Sequence, residues 1–180
     1  NVEPDMAVFA KALGNGYAIS ACIGKKEFMQ AAQHSFISST FWTERIGPSA
    51  ALKTLEVMQR EKSWDKITQI GSGISSQWQI LADKYNLEIQ TWGLPALSGF
   101  SFNYINALKY KTLITQEMLK KGILASNSIY VCTEHSPKLI SSYFEALNPL
   151  FALIRDCEDG MDIDKLLEGP IAHSGFERLN

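Results

Sequence analysis

Two short apolar segments near the start of the chain predict β-strands. Residues 5–10 and 18–24 are mostly small or apolar at consecutive positions, not only at alternate positions. This pattern is typical of strands buried on both faces, as in the sheet of a layered α/β domain. Gly14, Asn15 and Gly16 lie between the two segments. These residue types tolerate positive φ, so we expect a sharp turn there.

The middle of the chain has the periodicity of helices. Residues 25–33 predict a short helix, and residues 44–61 predict a long one with Pro48 near its first turn, where a missing N–H is tolerated. Ser63 is a favoured N-cap residue for a further helix. Apolar residues then recur at spacings of three and four, so we expect them in the core: Trp64, Ile67, Ile70, Ile74, Trp78, Leu81 and Tyr85.

From residue 87 the pattern predicts strands that alternate with helices. The first two strands flank a turn at Gly93-Leu94-Pro95, and Ser136 is the predicted N-cap of the last helix, with Pro137 at its first position. This order predicts a small α+β layer with helices on one face of a mostly antiparallel sheet. The predicted segments are strands 87–92 and 98–103, helix 105–121, strand 128–133 and a helix from 137.

Composition narrows the class of protein. Hydrophobic residues make up 46% of the 180 residues and charged residues 20%, which is typical of a soluble globular protein. The net charge of -2 indicates neither a nucleic-acid nor an anionic membrane partner. No apolar run is long enough to span a bilayer, and the first residues do not have the pattern of a signal peptide. The three cysteines are far apart and no metal-ligand spacing occurs, so we expect reduced thiols, no metal site and a cytoplasmic protein.

Lys11 has the most distinctive local setting in the chain. It follows an apolar run directly and precedes the Gly-Asn-Gly turn. We expect it at the rim of a core, where desolvation disfavours the ammonium form and lowers the pKa. A neutral amine can condense with an aldehyde. The ordinary alternative is a lysine whose side chain reaches solvent.

The residues around Lys11 resemble a known motif. Pro4-Asp5, five residues, Lys11 and a glycine-rich turn are similar to the lysine motif of the class III (subgroup II) pyridoxal-phosphate-dependent aminotransferases, especially the glutamate-1-semialdehyde aminomutase-like branch. The order of elements continues to match along nearly the whole chain. The resemblance implies an α/β fold of the fold type I class. Residues 1–62 would be the C-terminal segment of the large cofactor-binding domain with a linking helix, and residues 63–180 the small C-terminal α+β domain.

The resemblance also implies site residues. Lys11 would be the catalytic residue and would bind pyridoxal 5′-phosphate as a Schiff base. Thr40 matches a threonine that reaches the cofactor phosphate of the partner subunit. Arg45 is the arginine expected near the site, although a solvated charge at the start of a helix is an equal alternative. Glu134 and His135 either line the substrate side or cap the next helix.

The implied function is amino-group transfer between a small amino donor and a keto or aldehyde acceptor, in a homodimer whose active site lies at the interface. The family's other cofactor-binding residues precede the lysine, and this chain begins only ten residues before Lys11. We therefore expect a C-terminal fragment of a longer enzyme, inactive alone. The alternatives are an aminomutase of the glutamate-1-semialdehyde type, a racemase or decarboxylase with the same lysine, and a non-catalytic dimerisation or interaction domain.

Overall fold

The computed structural model of the chain describes residues 2–38, 40–41, 43–173 and 175. These residues divide into two compact units, residues 1–63 and 64–180. The identity of the predicted domains, 1–62 and 63–180, as parts of a large and a small domain stays a prediction.

The first unit begins with an antiparallel pair of strands. β1 and β2 are in register from Met6 opposite Gly24 to Phe9 opposite Ala21. The second strand is shorter than its apolar run predicts, because residues 18–20 lie outside the ladder. The strands are β1, Met6–Phe9, and β2, Ala21–Gly24.

The predicted burial of these two strands is wrong for this chain. Their outward side chains are exposed, for example 74% for Val8 and 58% for Ile23. The apolar pattern indicates strands that suit burial on both faces, but the described residues supply no layer that covers either face. The pattern therefore identified the strands and could not identify what covers them.

In the described part of the first unit, two α-helices and two 3₁₀ helices accompany the strands. The short helix predicted over 25–33 forms as one α-helical turn followed by a 3₁₀ helix, and the long helix ends at Lys62, whose φ of 48° places it in the left-handed region. The helix α2 packs against the chain after Lys11, because a Cβ on Gly47 would lie 2.8 Å from the carbonyl oxygen of Ala18. The helices are 3₁₀ Lys11–Leu13, α1 Lys26–Met29, 3₁₀ Gln30–His34 and α2 Ile46–Glu61.

The second unit is the predicted α+β layer. Its sheet has the strand order β3-β4-β5, and both pairs are antiparallel. The hairpin turns at Pro95 and Ala96, later than predicted, because Leu94 still pairs with Leu97. The elements are α3 Ser63–Lys84, β3 Ile89–Leu94, β4 Leu97–Phe102, α4 Ala107–Lys120, β5 Ser128–Tyr130, α5 Pro137–Glu158 and a 3₁₀ helix Ile163–Lys165.

The core of the second unit is built from α3, β4, α4 and α5. The predicted apolar stripe of α3 contributes Ile74, Trp78 and Leu81, whereas Trp64 at its start is exposed. The backbone of α3 packs closely against the β3–β4 turn at Gly71. A Cβ on this residue would lie 1.8 Å from the carbonyl oxygen of Pro95. The largest fully buried side chains are Trp78, Phe100, Tyr110, Leu113, Ile114, Met118, Leu147, Phe151 and Ile154.

The ends of the helices in this unit follow the sequence with one exception. Ser136 accepts a hydrogen bond from the Leu139 N–H at 3.4 Å, and Pro137 is the first helical residue of α5, as predicted. Gly122, with φ of 74°, follows the end of α4. The exception is Ser63: its buried hydroxyl has no hydrogen-bond partner among the described residues, so it does not act as the predicted cap.

Candidate active site

Lys11 lies where β1 ends, and its backbone is strained. Ala10 is extended, with φ of -153°, and Lys11 turns into the left-handed region with φ of 51° as the first residue of the 3₁₀ helix. A non-glycine residue in this region carries a cost of about 1–2 kcal/mol. Strain of this kind is often found at functional sites. Asn15, Lys62 and Asn86 also have positive φ, so Lys11 shares this conformation with residues at turns and helix ends.

The side chain of Lys11 is exposed in this chain. The expectation that it lies at the rim of a core is therefore wrong for the described residues. The described residues do not bury the Lys11 side chain, so they do not provide the desolvation expected from the sequence. The reason is the same as for the strands, because the apolar run that leads to Lys11 is itself largely exposed.

Backbone hydrogen bonds stabilise the turn after Lys11. The Leu13 N–H donates to the Ala10 carbonyl at 3.1 Å, and the Gly14 N–H donates to the Lys11 carbonyl at 3.2 Å. Gly14 is buried and has φ of -88°, so it does not use the positive φ that the sequence suggested. It is required for space, because a Cβ would lie 2.1 Å from the Tyr17 carbonyl oxygen. Asn15 and Gly16 do adopt positive φ, 46° and 107°.

Asp5 is tied to the second strand. Its side chain accepts a hydrogen bond from the Lys25 ammonium at 2.9 Å, and its carbonyl accepts from the Lys25 N–H at 2.9 Å. Both side chains are substantially exposed, so the ion pair itself contributes little to stability. The pair closes the open end of the hairpin and fixes where the strand that leads to Lys11 begins.

Thr40 and Arg45 lie on the surface of the first unit. Thr40 is exposed in a turn. Ser39 and Trp42 lie outside the described residues. Arg45 is exposed at the N-cap position of α2 and lines a shallow depression of about 470 Å³ with Tyr17, Ile46, Ser49 and Ala50.

This depression was not anticipated from the sequence. It joins Tyr17, which ends the turn that Lys11 begins, to the first turn of α2. The sequence shows the arginine and the tyrosine, but they are 28 positions apart and share no motif. Their proximity depends on the packing of α2 against the turn, which Gly47 permits.

In the second unit, Glu134 and His135 belong to a turn that leads into α5. The His135 N–H donates to the Cys132 carbonyl at 3.2 Å, and the Cys132 N–H donates back to His135 Nδ1 at 3.2 Å. The capping bond itself comes from Ser136. His135 therefore stabilises the turn, while Glu134 is exposed.

The described residues contain neither a metal-binding cluster nor a membrane-spanning helix. Within the part of the chain that the structure describes, no group of three or more His, Cys, Asp or Glu side chains is placed to hold a metal ion. No helix among the described residues combines the length and the apolar character needed to cross a bilayer.

Comparison with curated proteins finds aminotransferases and aminomutases. The chain is 29% identical over 160 residues to 3-aminobutyryl-CoA aminotransferase of Cloacimonas acidaminovorans, covering 86% of this chain and 39% of that protein. It is 29% identical over 160 residues to acetylornithine aminotransferase of Methanocaldococcus jannaschii, with the same coverage. Glutamate-1-semialdehyde 2,1-aminomutase of Methanosphaera stadtmanae is 27% identical over 153 residues, covering 76% of this chain and 36% of that protein. The chain thus spans about two fifths of the length of these relatives.

Solved structures share the fold. The Sphingopyxis sp. MTA144 FumI protein, solved as its pyridoxal phosphate internal aldimine, matches with a TM-score of 0.79 at 21% identity, over 92% of this chain and 41% of that chain. A transaminase with pyridoxal phosphate bound matches with a TM-score of 0.73 at 18% identity, over 88% and 40%. These likenesses confirm the predicted fold class, that of fold type I pyridoxal-phosphate-dependent transaminases.

A match to a family model identifies the family of this chain. The model described as aminotransferase class-III matches residues 1–142, which is most of the chain and includes both Lys11 and Thr40. Together with the solved structures that contain pyridoxal phosphate, it confirms pyridoxal 5′-phosphate as the cofactor expected for this family. The chain belongs to the class III aminotransferases.

Proposed function

We propose that this chain is the C-terminal part of a pyridoxal-phosphate-dependent aminotransferase in which Lys11 binds the cofactor covalently. The observation that carries the proposal is the backbone of Lys11, which lies two residues after β1: its left-handed φ of 51° is followed by a turn that only glycine at position 14 permits. The motif and the strained residue coincide. The side chain of Lys11 is exposed, so burial does not prevent its ε-amine from forming a covalent bond with an aldehyde.

Lys11 would have two roles. Its ε-amine would hold the cofactor through the cofactor aldehyde. Once released, the amine would accept the proton from Cα of the substrate and return it to the carbon that carried the aldehyde oxygen. When bound, pyridoxal phosphate supplies an electron sink for the carbanion that this proton transfer leaves. A guanidinium stays protonated, so arginine at this position would serve neither role.

Thr40 would contribute a hydroxyl to the cofactor phosphate. Its exposure in a turn before α2 leaves the hydroxyl accessible to an oxyanion, and phosphates prefer hydroxyl and N–H donors. We propose that this contact crosses the interface of a homodimer. Arg45 would strengthen the positive field beside the depression that it lines with Tyr17.

The substrates proposed are a small-molecule amino donor and a keto or aldehyde acceptor, and the proposed compartment is the cytoplasm. The names of the relatives favour amino transfer, since they include 3-aminobutyryl-CoA aminotransferase and acetylornithine aminotransferase. The glutamate-1-semialdehyde aminomutases are a second candidate function, supported by the relative from Methanosphaera stadtmanae. A non-catalytic dimerisation domain is the alternative in which Lys11 is inert.

Reductive labelling tests the role of Lys11. The chain is incubated with pyridoxal phosphate, reduced with borohydride and digested, and the labelled peptides are quantified by mass spectrometry. We expect more label at Lys11 than at the exposed Lys26. In a Lys11→Ala variant we expect the label on the other lysines to be unchanged. A Lys26→Ala variant is the matched control. Label distributed evenly over the exposed lysines would contradict the proposal.

A turnover assay tests the proposed fragment. The 180-residue chain alone is expected to give no amino transfer, whereas a longer protein that contains this chain as its C-terminal part is expected to show it. That activity should disappear with Lys11→Ala and with Lys11→Arg. Turnover that survives either substitution would exclude Lys11 as the catalytic residue.

A further inference from the structure

A cavity of about 530 Å³ opens within the second unit. It lies between the segment that follows α4, the strand β5 and the first turns of α5. Its apolar lining comes from Ile74, Ile123, Leu124, Ile129, Leu139 and Ile140. Cavities of roughly 300–1,000 Å³ with a mostly apolar lining and a few polar groups are typical of small-molecule sites.

His135 places one oriented polar group on this lining. Its Nδ1 accepts a hydrogen bond from the Cys132 N–H at 3.2 Å, and the residue also lines the cavity. A neutral imidazole carries its proton on one ring nitrogen only. Because Nδ1 accepts, the proton of the neutral ring lies on Nε2. The turn therefore leaves His135 with one donor, Nε2–H, that is not used in forming the turn.

Tyr143, which also lines the cavity, is kept neutral. The hydroxyl oxygen of Tyr143 accepts a hydrogen bond from the Trp78 indole N–H at 3.0 Å, and burial raises the pKa of Tyr143 well above its usual value. The described lining residues include no Asp, Glu, Lys or Arg. A charged ligand would lose hydration here without gaining an opposite charge, which is costly. A neutral ligand is therefore favoured.

We infer that this cavity binds a neutral, mostly apolar molecule that carries a carbonyl oxygen. The apolar part of the ligand packs against the isoleucine side chains, and its oxygen accepts a hydrogen bond from His135 Nε2–H. The inference does not depend on the proposed function, because every residue involved belongs to the second unit. It assigns to the cavity a chemical class of ligand.

Methyl benzoate and propylbenzene are the probes. The two are similar in size, but only the ester offers a carbonyl oxygen, and an ester does not accept an amino group. Binding to the chain labelled at its isoleucine methyl groups is followed by NMR. We expect both probes to shift the methyl signals of Ile74, Ile123, Ile129 and Ile140, with tighter binding of the ester. The buried Ile114 and Ile154 do not line the cavity and serve as internal controls.

His135→Asn isolates the hydrogen bond. The asparagine side-chain oxygen can still accept from the Cys132 N–H, but no donor remains at the place of Nε2. We expect binding of methyl benzoate to weaken by about fivefold, as the loss of one neutral hydrogen bond predicts, and binding of propylbenzene to be unchanged. His34→Asn, an exposed histidine of the first unit, is the matched control.

Three results would overturn the inference: no shift of the cavity methyl signals, equal shifts at Ile114 and Ile154, or equal affinity of His135→Asn and the unchanged chain for the ester. If His135→Asn does not fold, the comparison of the two probes on the unchanged chain decides, since equal affinities would exclude the hydrogen bond.

Discussion

The indole N–H of Trp78 donates a hydrogen bond to the hydroxyl of Tyr143 at 3.0 Å, inside the core of the second unit. Trp78 on α3 is fully buried and Tyr143 on α5 is 9% exposed, so the bond joins two helices that are 65 positions apart. It satisfies a buried donor that has no access to water. The core is thus specified by a polar contact as well as by apolar packing.

Removing the acceptor should be costly. In Tyr143→Phe the indole N–H stays buried without a partner, so we expect the free energy of unfolding to fall by about 1–3 kcal/mol. Urea denaturation followed by far-UV circular dichroism measures the change. Tyr130→Phe is the control, because Tyr130 is 75% exposed and should change stability little. Equal effects of the two substitutions would contradict this account of the core.

The contact of Gly71 with Pro95 gives a second prediction. A Cβ at position 71 would lie 1.8 Å from a backbone oxygen, so α3 and the β3–β4 turn must separate in Gly71→Ala. We expect a loss of about 2–4 kcal/mol, comparable to severe overpacking. Gly73→Ala is a matched control two residues along the same helix, where no atom lies within 4 Å of the added Cβ. It should stabilise the protein by about 0.5–1 kcal/mol. Melting temperatures that fall equally in both variants would be the contrary result.

Alkaline pH should unfold the second unit. Burial raises the pKa of Tyr143, and burial followed by the hydrogen bond to Glu158 raises the pKa of Tyr110. Because each tyrosine has a higher pKa in the folded than in the unfolded state, its neutral form contributes fully to the free energy of unfolding below the ordinary tyrosine pKa of about 10. This contribution is lost as the pH increases above that value. We expect the melting temperature to decline from about pH 10 upward.

Absorbance titration at alkaline pH provides the check. The phenolate signals of Tyr110 and Tyr143 should appear only with the loss of secondary structure, and Tyr143→Phe should show a shallower decline of melting temperature with pH. Ionisation of all six tyrosines before any unfolding would show that burial does not protect these two.

The two serines predicted as caps should respond differently to alanine. Ser136→Ala removes the bond to the Leu139 N–H and should cost about 0.5–1 kcal/mol. Ser63→Ala removes a buried hydroxyl that has no partner among the described residues, so we expect no loss and a gain of up to about 1 kcal/mol. Equilibrium denaturation of both variants measures the contrast, and a larger loss for Ser63→Ala would reverse the assignment.

Lys11 should tolerate glycine better than a β-branched residue. Glycine adopts left-handed φ without strain, whereas valine is strongly disfavoured there. We expect Lys11→Gly to leave the stability of the first unit unchanged or raise it by up to about 1 kcal/mol, and Lys11→Val to lower it. The hydrogen bonds of Leu13 and Gly14, followed by their amide chemical shifts, report on the turn. A fold that accepts valine as readily as glycine would argue against strain at this position.

The sequence predicted local structure more reliably than exposure. The last helix was predicted because Ser136 and Pro137 fix its start chemically, and the apolar stripe of α3 located Trp78 in the core. The burial of Lys11 was predicted wrongly, because an apolar run specifies a side chain's preference and not the layer that would cover it. The cavity beside His135 was out of reach for a similar reason: it depends on three-dimensional packing between β5 and α5, which no local pattern encodes.

The hairpin of the first unit has a further consequence. Among the described residues the sheet of β1 and β2 has two strands and two unpaired edges, and the side chains of Val8 and Ile23 turn apolar surface outward beside them. Such edges recruit strands from other molecules. Solutions of this chain are therefore expected to lose monodispersity in light scattering as they are concentrated, and a lysine introduced at Val8 should delay that loss.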